Sequence, residues 1–407
     1  MIFPALRSIP TSTRRQLGPL SQHGSCRVAA VINSRLALGL ACAGLALATV
    51  LPADAATRKV IIDQDAFGPG GSNMQAILLA LQSPDVDVLG ITIESGDGWR
   101  DENVAHTLRL LELVGRTDVP VVPGATYPLV NSAEETKRWE ARYGKLVYKG
   151  AWTEAWPATD GVVRRAPHGP EVVPPLPEGA PTTHATAEIA AAFMVRKVRE
   201  SPGEVTILAL GPYTNVALAV RLDDGFAGLA SGLVIMGGSF SPKAADNEFA
   251  KEYLYTPRLE FNFRWDAEAT SLMLRAPWRR IVQVPVDATT RTLFTKELAT
   301  RAAAADTPVA RYVAKYAEPY PMWDEVAVAT WVEPSLVTRL ERLAVDADTD
   351  HGAGYGNTLS WAPGGGPGLG EHDVDVIFDI DVARFEQWCV DAFTRAAPAH
   401  RPWRLGR

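Results

Sequence analysis

Apolar runs separated by turns rich in acids and glycines set the rhythm of the first part of the chain. Val60-Ile61-Ile62 predicts a strand buried on both faces. Asp63 and Asp65 stand where that strand should end, and Phe67-Gly68-Pro69-Gly70-Gly71 follows as a flexible loop. Met74, Ile77, Leu78 and Leu81 then recur at helical spacing, with Ser72 or Asn73 placed to cap the helix they predict. Val86 to Ile93, rich in β-branched residues, predicts a second strand. An acid again stands past its end, in Glu94-Ser95-Gly96-Asp97. Val104, Leu108 and Leu111 predict a helix over residues 102–114 closed by Gly115, and Pro120 to Gly124 holds a short third strand. Strand and helix in alternation imply parallel pairing through right-handed crossovers. The expected fold class is therefore α/β: a single domain with an open, mostly parallel central sheet, flanked by helices and carrying loop insertions.

The rhythm breaks over residues 129–183, which hold Trp139, Trp152, Trp156 and many prolines. This reads as an aromatic insertion that packs, either over a ligand or over core, and not as a linker. Regularity resumes with a helix over 187–200, a strand from Glu204 to Leu210, a helix opened by Gly211-Pro212-Tyr213-Thr214-Asn215, and a strand from Leu233 to Gly238. In Leu259-Glu260-Phe261-Asn262-Phe263 polar and apolar residues alternate, which predicts an extended segment with Glu260 and Asn262 on one side. A helix from Asp266 to Leu274, a strand from Arg280 to Val286, and an apolar helix opened by Trp323-Asp324 follow. A glycine-rich loop at 362–368, a strand over 374–378 and a helix over 382–393 complete the pattern.

Composition narrows the classes. The 407 residues are 47% hydrophobic and 21% charged, enough for a sizeable core and too apolar for a disordered chain. A formal net charge of −7 with no dense Lys/Arg run excludes a nucleic-acid-binding surface. Arg35 precedes the apolar segment Leu36 to Leu51, and small residues at Pro52 to Ala56 offer a cleavage site. Residues 1–56 thus read as an export leader, residues 57–400 as the domain, and the expected location as periplasmic or secreted. Cys26 and Cys42 belong to that leader, which leaves Cys389 as a lone core residue with no disulfide to make.

These stations together resemble the inosine-uridine-preferring nucleoside hydrolases, a family of calcium-dependent N-ribohydrolases. The residues that carry the likeness are Asp63-Gln64-Asp65 before the apolar helix, Leu89-Gly90-Ile91-Thr92 with its exit at Gly96-Asp97, and Ala209-Leu210-Gly211-Pro212-Tyr213-Thr214-Asn215. Val234-Ile235-Met236-Gly237-Gly238, Thr256-Pro257-Arg258-Leu259-Glu260-Phe261-Asn262-Phe263 with Asp266, and Trp323-Asp324 before Val326-Ala327-Val328 extend it. The resemblance implies that Asp65 is both a calcium ligand and the general base, with Asp63 as its supporting neighbour. It implies further metal ligands at Asp324, at the backbone carbonyl of Leu210, and at Asn73. It places Asp97, Glu260 and Asn262 on the ribose hydroxyls and Met236 on the sugar-facing wall. A tryptophan at position 323 resembles the purine-preferring branch, with its ring stacking on the departing base.

The implied reaction is hydrolysis of the N-glycosidic bond of ribonucleosides by water activated on calcium and deprotonated by Asp65. The chain also departs from the family pattern, because paired aspartates at the start of the first helix are here Ser72 and Asn73. The slot for 5′-hydroxyl recognition reads Leu254 in one alignment and Asn247 in another. Two other readings stand beside the first: an exported nucleoside-binding protein without turnover, and a hydrolase of another N-ribosyl compound. The resemblance also implies a homo-oligomer, dimer or tetramer. His106, His184, His351 and His372 fall at no matched station and read as surface or internally satisfied histidines, with His184 the one nearest the insertion.

Overall fold

The computed structural model describes residues 57–154, 166–241 and 258–396. The leader, Trp156, Leu254 and Asn247 lie outside the described residues. A nine-stranded sheet runs through the domain in the order β3-β2-β1-β4-β5-β6-β9-β7-β8. Its strands are β1 (Arg58–Gln64), β2 (Val86–Ile93), β3 (Val121–Pro123), β4 (Val205–Ala209), β5 (Gly232–Met236), β6 (Ile281–Val284), β7 (Val337–Ala347), β8 (Thr358–Trp361) and β9 (Asp373–Ile380). From β3 to β9 every pair is parallel, and β7 closes the edge antiparallel to both β9 and β8.

Successive strands leave β1 in opposite directions, β2 to one side and later β4 to the other. This is a topological switch point, where open α/β sheets leave a crevice at the carboxyl ends of the strands. The side chains of β1 alternate between two apolar layers. Val60 and Ile62 pack with α1 (Ser72–Leu81), α2 (Arg100–Val114), and two late helices described below. Ile61 packs on the other face with α4 (Ala190–Glu200) and α5 (Thr214–Leu222), through Phe193, Met194 and Val216. Between α2 and α4 the insertion carries its own helix, α3 (Ala133–Tyr143).

The expected fold class holds, and several local expectations need correction. The α1 cap is Gly71, which offers no side-chain bond, and Ser72 and Asn73 already lie in the first turn. The segment around Glu260 is not extended. It enters a short helix, α6 (Phe261–Trp265), because the Glu260 carboxylate accepts the Asn262 and Phe263 backbone N–H groups and caps it. Asp266 caps the next helix, α7 (Ala267–Leu274), and does not begin it. The strand before Pro285 stops at Val284, and the helix read from residue 187 starts at Ala190. The later helices are α8 (Trp323–Val332) and α9 (Val382–Thr394), and Cys389 is buried and free in α9. In the insertion, Trp152 stacks on Trp265 with ring centroids 3.9 Å apart, and Trp139 donates Nε1 to the Gly352 carbonyl at 2.8 Å. Both cover the framework.

Asp266 joins three elements. Its Oδ1 caps Ala269 N, and its Oδ2 accepts Thr214 Oγ1 at 2.7 Å and Leu129 N at 2.8 Å. Burial lifts its pKa to about 6 against the hydrogen bonds that favour its charged form. Asp266→Ala should cost about 2–3 kcal/mol in urea unfolding, and Asp266→Asn about 1–2 kcal/mol, because the amide keeps one acceptor oxygen of the two.

Candidate active site

The polar cluster at the switch point grows from the end of β1. Asp63, Gln64 and Asp65 are all buried there. Asp63 faces inward, with Oδ1 accepting Thr92 Oγ1 at 2.6 Å and Asn215 Nδ2 at 2.9 Å, and so ties β1 to β2 and α5. Asp65 faces the crevice. Its Oδ2 accepts the Asp97 backbone N–H at 2.7 Å and its Oδ1 accepts Asn73 Nδ2 at 3.1 Å. Gly96 makes this possible, since a Cβ there would stand 2.1 Å from Asp65 Oδ2.

Packing of α1 beside α8 brings Asp324 to the same point. Its Oδ2 accepts Gln64 Nε2 at 2.8 Å and Asn73 Nδ2 at 3.3 Å. Asn73, Asp65 and Asp324 thus converge. Gln64 was not singled out, yet it links Asp324, Asn73 and, through Oε1, the Asp65 backbone N–H at 3.0 Å. Its one sequence signal is a polar residue between two aspartates at the end of an apolar strand.

A second group lines the β4–β5 side. Asn262 Nδ2 donates to the Leu210 carbonyl at 2.9 Å and to the Met236 carbonyl at 3.0 Å, with Met236 Sδ 3.8 Å away. Glu260 spends its carboxylate on backbone N–H groups of Gly238, Asn262 and Phe263. Tyr148, from the insertion, was also missed: its hydroxyl donates to Asp97 Oδ1 at 2.8 Å. Trp323 is half-buried at the start of α8, its ring 6.2 Å from that of Tyr320. Of the histidines, His106 is buried against Glu178, His184 is exposed, and neither bonds to this cluster.

Burial raises every carboxyl here. Asp97 rises to about 6, Asp63 to about 7 and Asp324 to about 8, and Asp65 rises well above the ordinary range through burial and the neighbouring Asp97 and Asp324. Among the described residues, no lysine, arginine or histidine is ion-paired with Asp65, Asp97, Glu260 or Asp324. No three His, Cys, Asp or Glu side chains among the described residues form a ready metal cage. The donors at the convergence point are two carboxylates, the Asn73 amide, whose oxygen can take the inner place by a half-turn, and the Leu210 carbonyl. That all-oxygen set, with unbalanced buried negative charge, fits a hard divalent cation.

The sequence profile described as "Inosine-uridine preferring nucleoside hydrolase" matches residues 60–387. The chain belongs to this family. Nucleoside hydrolases are N-ribohydrolases and are generally metal-dependent. The "Probable uridine nucleosidase 2" of Arabidopsis thaliana is 32% identical over 263 residues, 65% of this chain and 70% of the relative. The matched part falls to 50% of the relative's length in the "Uridine nucleosidase 1" of the same plant. The "Pyrimidine-specific ribonucleoside hydrolase RihA" of Citrobacter koseri is 30% identical over 301 residues, 70% of this chain and 82% of the relative. The solved "Plant nucleoside hydrolase - PpNRh1 enzyme" superposes with a TM-score of 0.62 at 25% identity, covering 83% of this chain and 99% of its own. The "Purine-Preferring Ribonucleoside Hydrolase from Gardnerella vaginalis" shares the fold, with a TM-score of 0.63 at 21% identity over 83% of this chain and 98% of its own.

The raised carboxyls give this nucleoside hydrolase a stability signature. A carboxyl whose folded pKa lies above its unfolded value adds stability that is full below the unfolded pKa and is lost as pH rises through the folded one. For Asp97, Asp63 and Asp324 that loss runs from the unfolded 3.8 up through about 6, 7 and 8. In chelator, the melting temperature should therefore rise by several degrees between pH 8.5 and pH 5.5. A bound divalent cation should raise it most at pH 8.5, as scanning calorimetry at both pH values would show.

Proposed function

We propose that this nucleoside hydrolase cleaves ribonucleosides, purines in preference, to free base and ribose, with Asp65 as general base and calcium as the cation. The observation that carries the reading is Asp65 itself, a buried carboxylate aimed by the Asp97 N–H into the crevice where Asn73 and Asp324 converge. Asp65, Asn73, Asp324 and the Leu210 carbonyl would hold the cation. When bound, calcium supplies positive charge that binds sugar hydroxyls and eases ionisation of water.

The remaining chemistry belongs to the chain. Asp65 takes a proton from the attacking water, whose oxygen bonds to the anomeric carbon as the C–N bond breaks and its electron pair leaves with the base. Burial and the neighbouring Asp97 and Asp324 raise the basicity of Asp65, which favours its taking that proton. Asp97, held by Tyr148, and Asn262 offer polar groups for the sugar hydroxyls. The carboxylate of Glu260, bound to three backbone N–H groups, fixes the α6 entry more than it frees an acceptor. Trp323 offers the ring for a purine. The pyrimidine and uridine names of the relatives favour uridine as a second reading. The leader pattern of residues 36–51 supports export, and the resemblance supports a homo-oligomer.

Ribose release from inosine, guanosine, adenosine and uridine, with calcium and then with chelator, tests the proposal. Asp65→Asn should lower kcat by about 10³-fold. No release from any nucleoside, with nucleoside binding intact in calorimetry, would establish the non-catalytic binder instead. Trp323→Ala should lower kcat/KM on inosine about tenfold and on uridine less, which corresponds to about 1.4 kcal/mol of base stacking. Equal losses on both would remove Trp323 from base selection.

A further inference from the structure

One buried acid lies outside the chemistry described so far. Glu325, the third residue of α8, is fully buried, and its Oε1 has no hydrogen-bond partner. Its Oε2 accepts the hydroxyl proton of Ser72, the first residue of α1. A serine hydroxyl has one proton to give. With that proton committed to Glu325, a lone pair remains for Asp324, whose backbone N–H donates to Ser72 Oγ at 3.0 Å.

The bond matters because both helices lack an ordinary start. Neither Gly71 before α1 nor Met322 before α8 supplies a side-chain cap. The Asp324 N–H is one of the first-turn donors a helix leaves unsatisfied, and here the neighbouring helix satisfies it. A single hydroxyl, oriented by a single buried carboxyl, therefore fastens the first turn of α1 to the first turn of α8. The next residue on α1 is Asn73, and the residue fastened on α8 is Asp324. Their side chains meet 3.3 Å apart at the convergence point.

We propose that Glu325 and Ser72 form a positioning pair that sets the spacing of Asn73 and Asp324, and through it the affinity for a divalent cation. The inference rests on the metal reading given above. The Ser72 hydroxyl thereby serves the helix pair.

Calcium titration calorimetry on the full-length chain tests it. Ser72→Ala and Glu325→Met should each weaken calcium about tenfold, within the range found for residues that orient metal ligands. The double variant should be no weaker than either single one, because both remove the same bond. Glu325→Gln keeps an acceptor oxygen and should stay within about threefold of wild type. Met194→Ala, in the opposite core layer, controls for simple destabilisation and should leave the affinity unchanged. Additive losses, unchanged affinity in folded Ser72→Ala, or an equal loss in Met194→Ala would each overturn the pair. Ser72→Ala decides the matter if Glu325→Met does not fold. A wild-type chain that binds no calcium would overturn the metal reading, and this inference with it.

Discussion

The structure depends on a concentration of buried carboxyl groups around the end of β1 that, among the described residues, no basic side chain balances. Asp63, Asp65, Glu94, Glu260 and Asp324 are all withdrawn from water. Isolated buried charges are costly, so something other than solvent must hold these groups. Side-chain donors hold Asp63 and Asp324, and backbone N–H groups take that part for the others. Asp65 receives Asp97 N, Glu94 receives Tyr213 N and Asn215 N, and Glu260 receives Gly238, Asn262 and Phe263 N–H groups. These donors are fixed by helix starts and strand exits, so the acids hold their places whether ionised or not.

The topology gathers those donors. The carboxyl ends of β1, β2, β4 and β5 meet around the switch point, and α1, α5 and α8 begin there. Helix N-termini present free N–H groups and a favourable dipole to negative charge. Tyr213, at the start of α5, adopts a left-handed φ of 70°, rare for a residue with a side chain. Its N–H on Glu94 and its hydroxyl on the Met236 carbonyl hold it there, and so couple the β2 exit to the end of β5.

Where period and burial agreed, the sequence was readable. The parallel strands β1, β2, β4 and β5 are nearly continuous apolar runs, and the acids at their exits mark the crevice. Asp65, Asp324 and Asn73, named from separate stretches of the chain, come together at that crevice. The pattern failed where side chains replaced local rules. The alternation at Glu260 to Asn262 looked extended, but the Glu260 carboxylate turned it into a helix start. The strands β7 and β8 gave no signal, since register shifts at Val337–Arg339 and Arg339–Leu340 break the two-residue period of β7. Gln64 and Tyr148 were invisible because their roles arise from contacts with residues 260 and 51 positions away.

The amide at Asn73 looks at first like a loss, one negative charge fewer beside Asp65 and Asp324. The surrounding charge gives it another meaning. With Asp97 already raised by burial, and Asp65 and Asp324 by burial and by the neighbouring Asp97, a further carboxylate would deepen the repulsion. Asn73 Nδ2 instead donates to Asp65 and Asp324 at once and bridges them without an ion. The same amide carries an oxygen that a half-turn brings to the same point. An amide at this position therefore bridges the two carboxyls without adding a charge and keeps a neutral oxygen beside them. The burden of holding that geometry then passes from charge to packing, which is where the α1–α8 contact through Ser72 and Glu325 acts.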